Sequence, residues 1–120
     1  MHLFIDAANV IGSRPDGWWR DREGAARRLV AQVREWASDD VTVVLDAGPD
    51  DLLGTVGTVT VVRAPRRARD AADDEIVRLV RGRDDALVVT SDAELARRVR
   101  ELGSRVMGAG EFRGRLGSPR

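Results

Sequence analysis

The sequence predicts an α/β protein with three layers, in which a central parallel sheet of about five strands is covered by helices on both faces. Short β-branched or apolar segments, each bounded by Asp, Gly or Pro, alternate with longer segments whose apolar residues recur at spacings of three and four. Short continuous apolar segments are typical of strands that are buried on both faces. Their alternation with helices indicates parallel strands joined by right-handed crossovers.

The predicted strands are four apolar segments and a shorter fifth segment near the C-terminus. They span residues 3–5, 41–45, 59–62, 86–89 and 105–107. Polar and apolar residues alternate over Thr58–Val61, which predicts that this strand lies at an edge of the sheet.

The predicted helices each carry one apolar stripe. They span residues 22–37, 71–81 and 92–102. Gly103 follows the last of them as a stop signal.

The remaining segments are predicted loops and a tail. Residues 12–21 and 48–58 contain the Gly and Pro that are typical of loops. We expect one domain over residues 1–107, because a chain of this length suits a single core, and a short, weakly structured tail over residues 108–120.

Composition excludes several kinds of functional site. The 120 residues include no Cys and one His, which excludes disulfides, thiolate nucleophiles, zinc clusters and His-rich metal sites. Any metal must therefore be held by oxygen. The 20 basic and 20 acidic residues balance, so the overall charge does not indicate nucleic acid, and only a local patch can.

The cytoplasm is the predicted location. No apolar stretch approaches the length of a membrane span, so no membrane association is expected. The segment Met1–Asp6 has no basic region before its apolar residues, which argues against a signal peptide.

Acidic residues follow three of the predicted strands. Asp6 follows the first strand, Asp46 the second, and Ser91-Asp92 the strand at residues 86–89. Each Asp alone would suit a helix cap or a turn. Ligands of an open parallel sheet bind beyond the carboxyl ends of its strands, so the three together predict a functional site there.

A fourth acid lies on the helix at residues 71–81. Asp73 precedes Ile76 by three residues, which turns it toward the sheet, whereas Asp74 precedes Arg78 by four and should form a surface pair with it. The alternative role of Asp73 is to stabilise the positive end of the helix dipole.

Ser91 and Glu94 have the spacing of a capping box, which would leave Asp92 in the first turn for other work. Asp92 precedes Leu95 by three residues and should face the sheet.

Inward carboxylates are costly unless their charge is compensated. Asp6, Asp46, Asp73 and Asp92 could share Mg²⁺ or Mn²⁺, which prefer carboxylate oxygen. A cation of this kind activates water and neutralises the charge that develops on a phosphate. The four acids therefore predict a phosphodiesterase.

Four short motifs resemble those of the YacP-type NYN domains, a family of PIN-like ribonucleases. Residues 6–12 are similar to its D-G-x-N-x-I-G opening, residues 44–47 to its F-D-A strand end, residues 72–76 to its A-D-x-x-I and residues 89–92 to its T-S-D. The four matches occur in order across residues 2–107.

The resemblance implies a PIN-like fold and RNA cleavage that depends on a divalent metal. It implies Asp6, Asp73 and Asp92 as the acids that carry the reaction, and Asp46 as a secondary acid. Asn9 would orient Asp6 or the scissile phosphate.

Ser91, a candidate RNA contact, would be a structural cap that also touches the site. Two positions depart from the motifs of the family. Ala7 stands where the family usually has Gly, and Gly48 where it has His after the F-D-A motif.

Two clusters of Arg and Trp are candidates for RNA contact. Arg14 and Arg20 flank Trp18-Trp19 after the first strand, and Arg66-Arg67 lead into the helix of Asp73. Arginine neutralises phosphates, and an adjacent aromatic ring can stack on a base. The alternative for at least one tryptophan is local packing, given the area that an indole buries.

Other functions compete with the ribonuclease prediction. An aspartyl phosphatase would need a second acid at Ala8, and a receiver domain would need a Lys, which the chain lacks. The main alternative is a non-catalytic RNA-binding or assembly module with a degenerate site. The presence of all four acids and Asn9 favours a working site, and a second copy or a partner protein could supply specificity.

Overall fold

The computed structural model describes residues 1–65 and 70–117. Six strands form one sheet, and they are β1 (His2–Asp6), β2 (Val41–Leu45), β3 (Gly54–Val56), β4 (Val59–Arg63), β5 (Ala86–Val89) and β6 (Arg105–Met107). The helices are α1 (Ala7–Ile11), α2 (Arg22–Trp36), α3 (Ala71–Val80), α4 (Ala93–Glu101) and α5 (Ala109–Leu116). Short 3-10 turns lie at Trp18–Arg20 and Asp50–Leu52.

The strand order is β3-β4-β2-β1-β5-β6, with β3 antiparallel and the other strands parallel. In register, Ile5 of β1 lies between Val43 of β2 and Val89 of β5. Asp6 ends β1 one residue later, and Thr90 follows β5. The carboxyl ends of the three central strands therefore meet at one edge, as the alternating pattern predicts.

Two hydrophobic cores cover the two faces of the sheet, which confirms the predicted three-layer α/β fold. The side chains of Val10, Val30 and Phe112 bring α1, α2 and α5 to one face. The side chains of Ile76 and Leu95 bring α3 and α4 to the other. No helix among the described residues is long and apolar enough to cross a membrane.

The sheet has one strand more than predicted. Residues 54–56, within the predicted loop 48–58, form β3 and pair with β4 through Val56 and Val59. The prediction that Thr58–Val61 lies at the edge is therefore wrong, because β3 covers that side. A three-residue strand whose residues are all exposed has no apolar pattern that would predict it.

The segment predicted as a weakly structured tail forms α5 over most of its length. Phe112 is fully buried and meets Trp36 of α2 edge to face, with ring centroids 5.2 Å apart. Arg113 donates hydrogen bonds to the carbonyl oxygens of Val10 (2.8 Å) and Ile11 (3.2 Å). These contacts make α5 part of the domain core.

Candidate functional site

Asp6 lies at the centre of the candidate site, as the last residue of β1 and the N-cap of α1. Only 4% of its surface is exposed. Its carboxylate accepts hydrogen bonds from Thr90 Oγ1 (2.9 Å) and from the backbone N–H of Asn9 (3.4 Å). Burial raises the pKa of Asp6, the nearby charges of Asp92 and Asp46 raise it further, and the two hydrogen bonds oppose the shift.

Hydrogen bonds of Asn9 and Thr90 join the ends of β1 and β5. Asn9 Oδ1 accepts from the backbone N–H of Ser91 at 2.7 Å, while Thr90 Oγ1, which donates to Asp6, accepts from the backbone N–H of Asp92 at 3.1 Å. The side chain of Asn9 thus binds the loop after β5, and the backbone N–H of Asn9 binds the carboxylate of Asp6. Thr90 is 1% exposed and was not among the predicted site residues, although it begins the T-S-D motif.

Asp73 is half-buried in the first turn of α3, near enough to Asp6 and Asp92 for their charges to act on it. Burial, followed by the charges of Asp6, Asp92 and Asp70, raises its pKa from 3.8 to about 6, against the opposing charge of Arg98. These carboxylates therefore repel one another.

Asp74 lies on the exposed side of α3, as predicted, but its partner differs. Its carboxylate binds Arg98 of α4 at 3.0 Å, while Arg78 pairs with Glu75. The helical periodicity identified the exposed face correctly. The packing of α3 against α4, which is not a local property of the sequence, determines the partner.

The prediction that Ser91 caps α4 is wrong. Asp92 is the N-cap, and its Oδ1 accepts from the backbone N–H of Glu94 (2.9 Å) and of Leu95 (3.0 Å). Ser91 Oγ instead accepts from the backbone N–H of Ala109 at the start of α5 (2.8 Å). Asp92 thus combines a capping role with a place beside Asp6 and Asp73.

Asp46 lies at the end of β2 and is exposed, so it is the most peripheral of the four acids. Its Oδ1 accepts from the backbone N–H of Ala47 at 2.9 Å. Its charge contributes to the raised pKa of Asp6, and its side chain lines a cavity beside α1.

The donor set fits a hard divalent cation, because all four side chains offer carboxylate oxygen. Within residues 1–65 and 70–117, however, no three His, Cys, Asp or Glu side chains converge closely enough to form a ready-made metal cluster. Hydrogen bonds already engage Asp6, Asp46 and Asp92, and the acids repel one another. A bound cation would offset the repulsion that, after burial, raises the pKa of Asp73.

The predicted RNA-contact residues of the first loop lie beside α1 and α2. Trp18 is half-buried and lines the same cavity as Asp46, and Arg22 lies 5.3 Å from the Trp18 ring centroid. Trp19 is 48% exposed, with Arg20 5.8 Å from its ring centroid. Arg14 is exposed. The predicted contacts Arg66 and Arg67 lie outside the described residues.

Comparison with solved structures shows a YacP-like fold. A crystal structure of a mutant of Rae1 (YacP) from Bacillus subtilis matches with a TM-score of 0.76 and 24% identity, over 97% of this chain and 74% of that one. A second crystal structure of Rae1 (YacP) gives a TM-score of 0.71 and 22% identity, over 98% and 74%. No protein-family model and no curated protein matches the chain.

Proposed function

We propose that the protein is a ribonuclease that depends on a divalent metal and hydrolyses RNA phosphodiester bonds at the carboxyl ends of β1, β2 and β5. The observation that carries this proposal is the half-buried position of Asp73 near Asp6, Asp92 and Asp70, where burial first and the neighbouring charges second raise its pKa to about 6. Carboxylates held together against their own repulsion have a role when a cation is bound between them.

Two further observations support the proposal. The motifs that resemble the YacP-type NYN domains contain Asp6, Asp46, Asp73 and Asp92, and the fold is YacP-like. All four acids belong to one edge of the sheet, and electrostatic effects couple Asp6 to Asp46, Asp73 and Asp92.

Some residues of the site would bind the cation, and others position the residues that bind it. Asp6, Asp73 and Asp92 would hold the cation, with Asp46 at the periphery. Thr90 and Asn9 fix the Asp6 carboxylate and the loop that carries Asp92, so these two carboxylates keep their relative positions. When bound, Mg²⁺ or Mn²⁺ would lower the pKa of a water molecule and offset the charge that develops on the phosphate.

Arginine and tryptophan of the first loop would hold the RNA strand. Arg14 and Arg20 lie in the loop that follows α1, and Arg22 begins α2, so all three come soon after the Asp6 strand. Their guanidinium groups can neutralise phosphates. The overall charge of the chain is zero, so affinity for RNA must come from such local groups.

A non-catalytic RNA-binding or assembly module is the second candidate. It is favoured by the hydrogen bonds that engage Asp6, Asp46 and Asp92, and by the lack of a ready-made metal cluster among the described residues. Such a module would bind RNA through the loop at residues 12–21 and would leave it intact.

An RNA cleavage assay tests the proposal. Labelled single-stranded and structured RNAs are incubated with Mn²⁺ or Mg²⁺ and with the wild type, Asp6→Asn or Asp73→Asn. Loss of an outer-shell partner of a metal ligand costs about 10–100-fold in affinity or activity, so each of these variants should lose at least that much. Asp74→Asn is the matched control, because Asp74 lies on the same helix and its exposed carboxylate pairs with Arg98 of α4.

Cleavage by Asp6→Asn and Asp73→Asn at the rate of the wild type would contradict the metal mechanism. RNA binding without cleavage by any variant, at any concentration of either metal, would establish the binding module instead.

A further inference from the structure

A cavity of about 530 Å³, lined in part by Asp46, lies on the face of the sheet that carries α1 and α2. One wall is α1, with Ala8 and Ile11, and a second is the start of α2, with Arg22. The segment after β2, which includes Asp46 and Ala47, forms a third wall. The indole of Trp18 belongs to the lining as well.

The size and lining of the cavity suit one aromatic, partly polar group. Pockets of about 300–1,000 Å³ with mostly apolar walls and a few polar groups bind small organic ligands. The apolar lining here consists of aliphatic side chains and one indole. Arg22 adds a cation 5.3 Å from the indole centroid, and Glu23 and Asp46 add two carboxylates. A planar base could stack on Trp18 in the place of the Arg22 guanidinium, which lies over the ring, and Arg22 could then neutralise the phosphate attached to that base.

Asp46 links the cavity to the candidate metal site. Asp46 lines the cavity, and its charge also contributes to the raised pKa of Asp6. An RNA strand with its scissile phosphate at the acids would therefore have a neighbouring nucleotide at the cavity mouth.

We propose that this cavity is a subsite for one unpaired nucleobase of the RNA substrate, stacked on Trp18. The inference rests on the proposed function, because it identifies the ligand as part of the strand that is cleaved. A base in a duplex is stacked and paired and cannot enter a pocket without leaving the helix. The substrate is thus RNA that is single-stranded at the cleavage site.

Trp18, and not Trp19, is the residue of this subsite. Trp19 meets Trp18 edge to face, with ring centroids 5.8 Å apart and an interplanar angle of 86°, and it is 48% exposed. The described lining of the cavity includes Trp18 and omits Trp19.

The test measures RNA affinity in a variant that should cleave RNA slowly, so that binding can be followed without loss of the substrate. Binding of a short single-stranded RNA and of the same sequence as a duplex is followed by fluorescence anisotropy in Mn²⁺, with Asp73→Asn present in every protein. Trp18→Ala should weaken single-stranded binding roughly 5- to 150-fold, the value of one base–aromatic stack, and should change duplex binding much less.

Ala47→Leu provides a second variant that keeps the loop and its indole. Ala47 is exposed and lines the cavity, so leucine narrows the cavity without removing Trp18. It should weaken single-stranded binding as Trp18→Ala does. Ala31→Leu on the exposed side of α2 is the matched control and should leave affinity unchanged.

An RNA with one abasic nucleotide locates the bound base. Moved along the strand, the abasic position should weaken binding at one place only, and the loss should not add to that of Trp18→Ala. Equal affinity of wild type, Trp18→Ala and Ala47→Leu for single-stranded RNA, or equal losses for the duplex, would overturn the subsite.

A parallel cleavage assay with Asp73 restored separates the two proposals. If cleavage requires Asp6 but Trp18→Ala and Ala47→Leu bind RNA as the wild type does, the subsite proposal is wrong and the ribonuclease proposal stands. If RNA binding depends on Trp18 but no RNA is cleaved, the subsite stands as a binding site and the ribonuclease proposal is wrong.

Discussion

Asp6 and Asp73 lie where burial and neighbouring carboxylates both oppose ionisation. Asp6 is compensated by Thr90 and by the N–H of Asn9, whereas Asp73 has a pKa of about 6 despite the opposing charge of Arg98. The metal-free protein is therefore destabilised by the group that the proposed function needs most. Such conflicts between stability and function are expected at functional sites.

Asp73→Asn should raise the stability of the metal-free protein. Between pH 3.8 and about 6 the folded state binds more protons at Asp73 than the unfolded state, so the free energy of unfolding falls as pH rises through this window. The variant should lose that dependence and exceed the wild type in melting temperature at pH 7. Thermal unfolding in EDTA at a series of pH values measures both effects.

Asp84→Asn is the control. Asp84 is exposed, so its substitution should leave the pH dependence of the free energy of unfolding as in the wild type. A melting temperature of Asp73→Asn below that of the wild type at pH 7 would contradict the assigned environment.

Thr90→Val should destabilise the protein by about 1–3 kcal/mol, because it leaves the buried Asp6 carboxylate without its shortest hydrogen bond. Thr90→Ser keeps the hydroxyl and should lose much less. Urea denaturation of the three proteins in EDTA gives the free energies of unfolding. Equal stability of wild type and Thr90→Val would show that Thr90 does not hold Asp6.

At the scale of single residues, helical periodicity was sufficient to place Asp73 inward and Asp74 outward, because both follow from spacing within one helix. The cap of α4 was not predictable in this way, since Ser91 and Asp92 both have side chains suited to capping. The choice depends on Ala109, which is far along the chain and takes the Ser91 hydroxyl as its acceptor.

At the scale of elements, α5 joins the segment after β5 to α1 and to the loop at residues 12–21. Its first residue, Ala109, donates to Ser91 Oγ at the end of β5. Arg113 donates to the last carbonyl groups of α1 and to Asp16 Oδ2 of the loop at residues 12–21 (2.7 Å). A helix at the end of the domain thus fixes the loop that carries Trp18.

Phe112→Ala should cost roughly 3–5 kcal/mol, as large-to-small substitutions of buried aromatic residues do. Phe112→Leu keeps most of the apolar volume and should cost less. Denaturant unfolding measures both. A loss within about 0.5 kcal/mol for Phe112→Ala, as for a surface substitution, would mean that α5 is not part of the core.

The elements that were predicted have strong patterns, and those that were missed do not. The helices α2, α3 and α4 carry continuous apolar stripes, whereas α5 contains Gly110 and Gly114 and buries chiefly Phe112 and Ala109. Similarly, β3 exists because β4 offers it a hydrogen-bonding edge. Such elements depend on tertiary contacts more than on local propensity.

At the scale of the whole molecule, strand order explains why acids that are distant in sequence share one edge. The order β2-β1-β5 places the ends of the Asp46, Asp6 and Asp92 strands side by side, and α3 contributes Asp73 from the face it covers. Alternating strands and helices predicted the parallel sheet. The rule that ligands bind at the carboxyl ends of strands predicts a site where the strand ends meet, and that site stays a prediction. Asp46 and Asp92 accept hydrogen bonds from backbone N–H groups one to three residues away, which fits the turn and cap roles that an Asp after a strand suggests. The hydrogen bond from Thr90 to Asp6 was not predictable, because it joins the ends of two separate strands.

Mn²⁺ titration of the wild type, Asp6→Asn, Asp73→Asn and Asp74→Asn by isothermal calorimetry tests most directly whether these acids form a metal site. We predict saturable binding by the wild type and Asp74→Asn, with affinity that falls below about pH 6 as Asp73 takes up a proton. Asp6→Asn and Asp73→Asn should bind at least about tenfold more weakly. Equal affinity in all four proteins, or no saturable binding by the wild type, would contradict the metal site on which the proposed function depends.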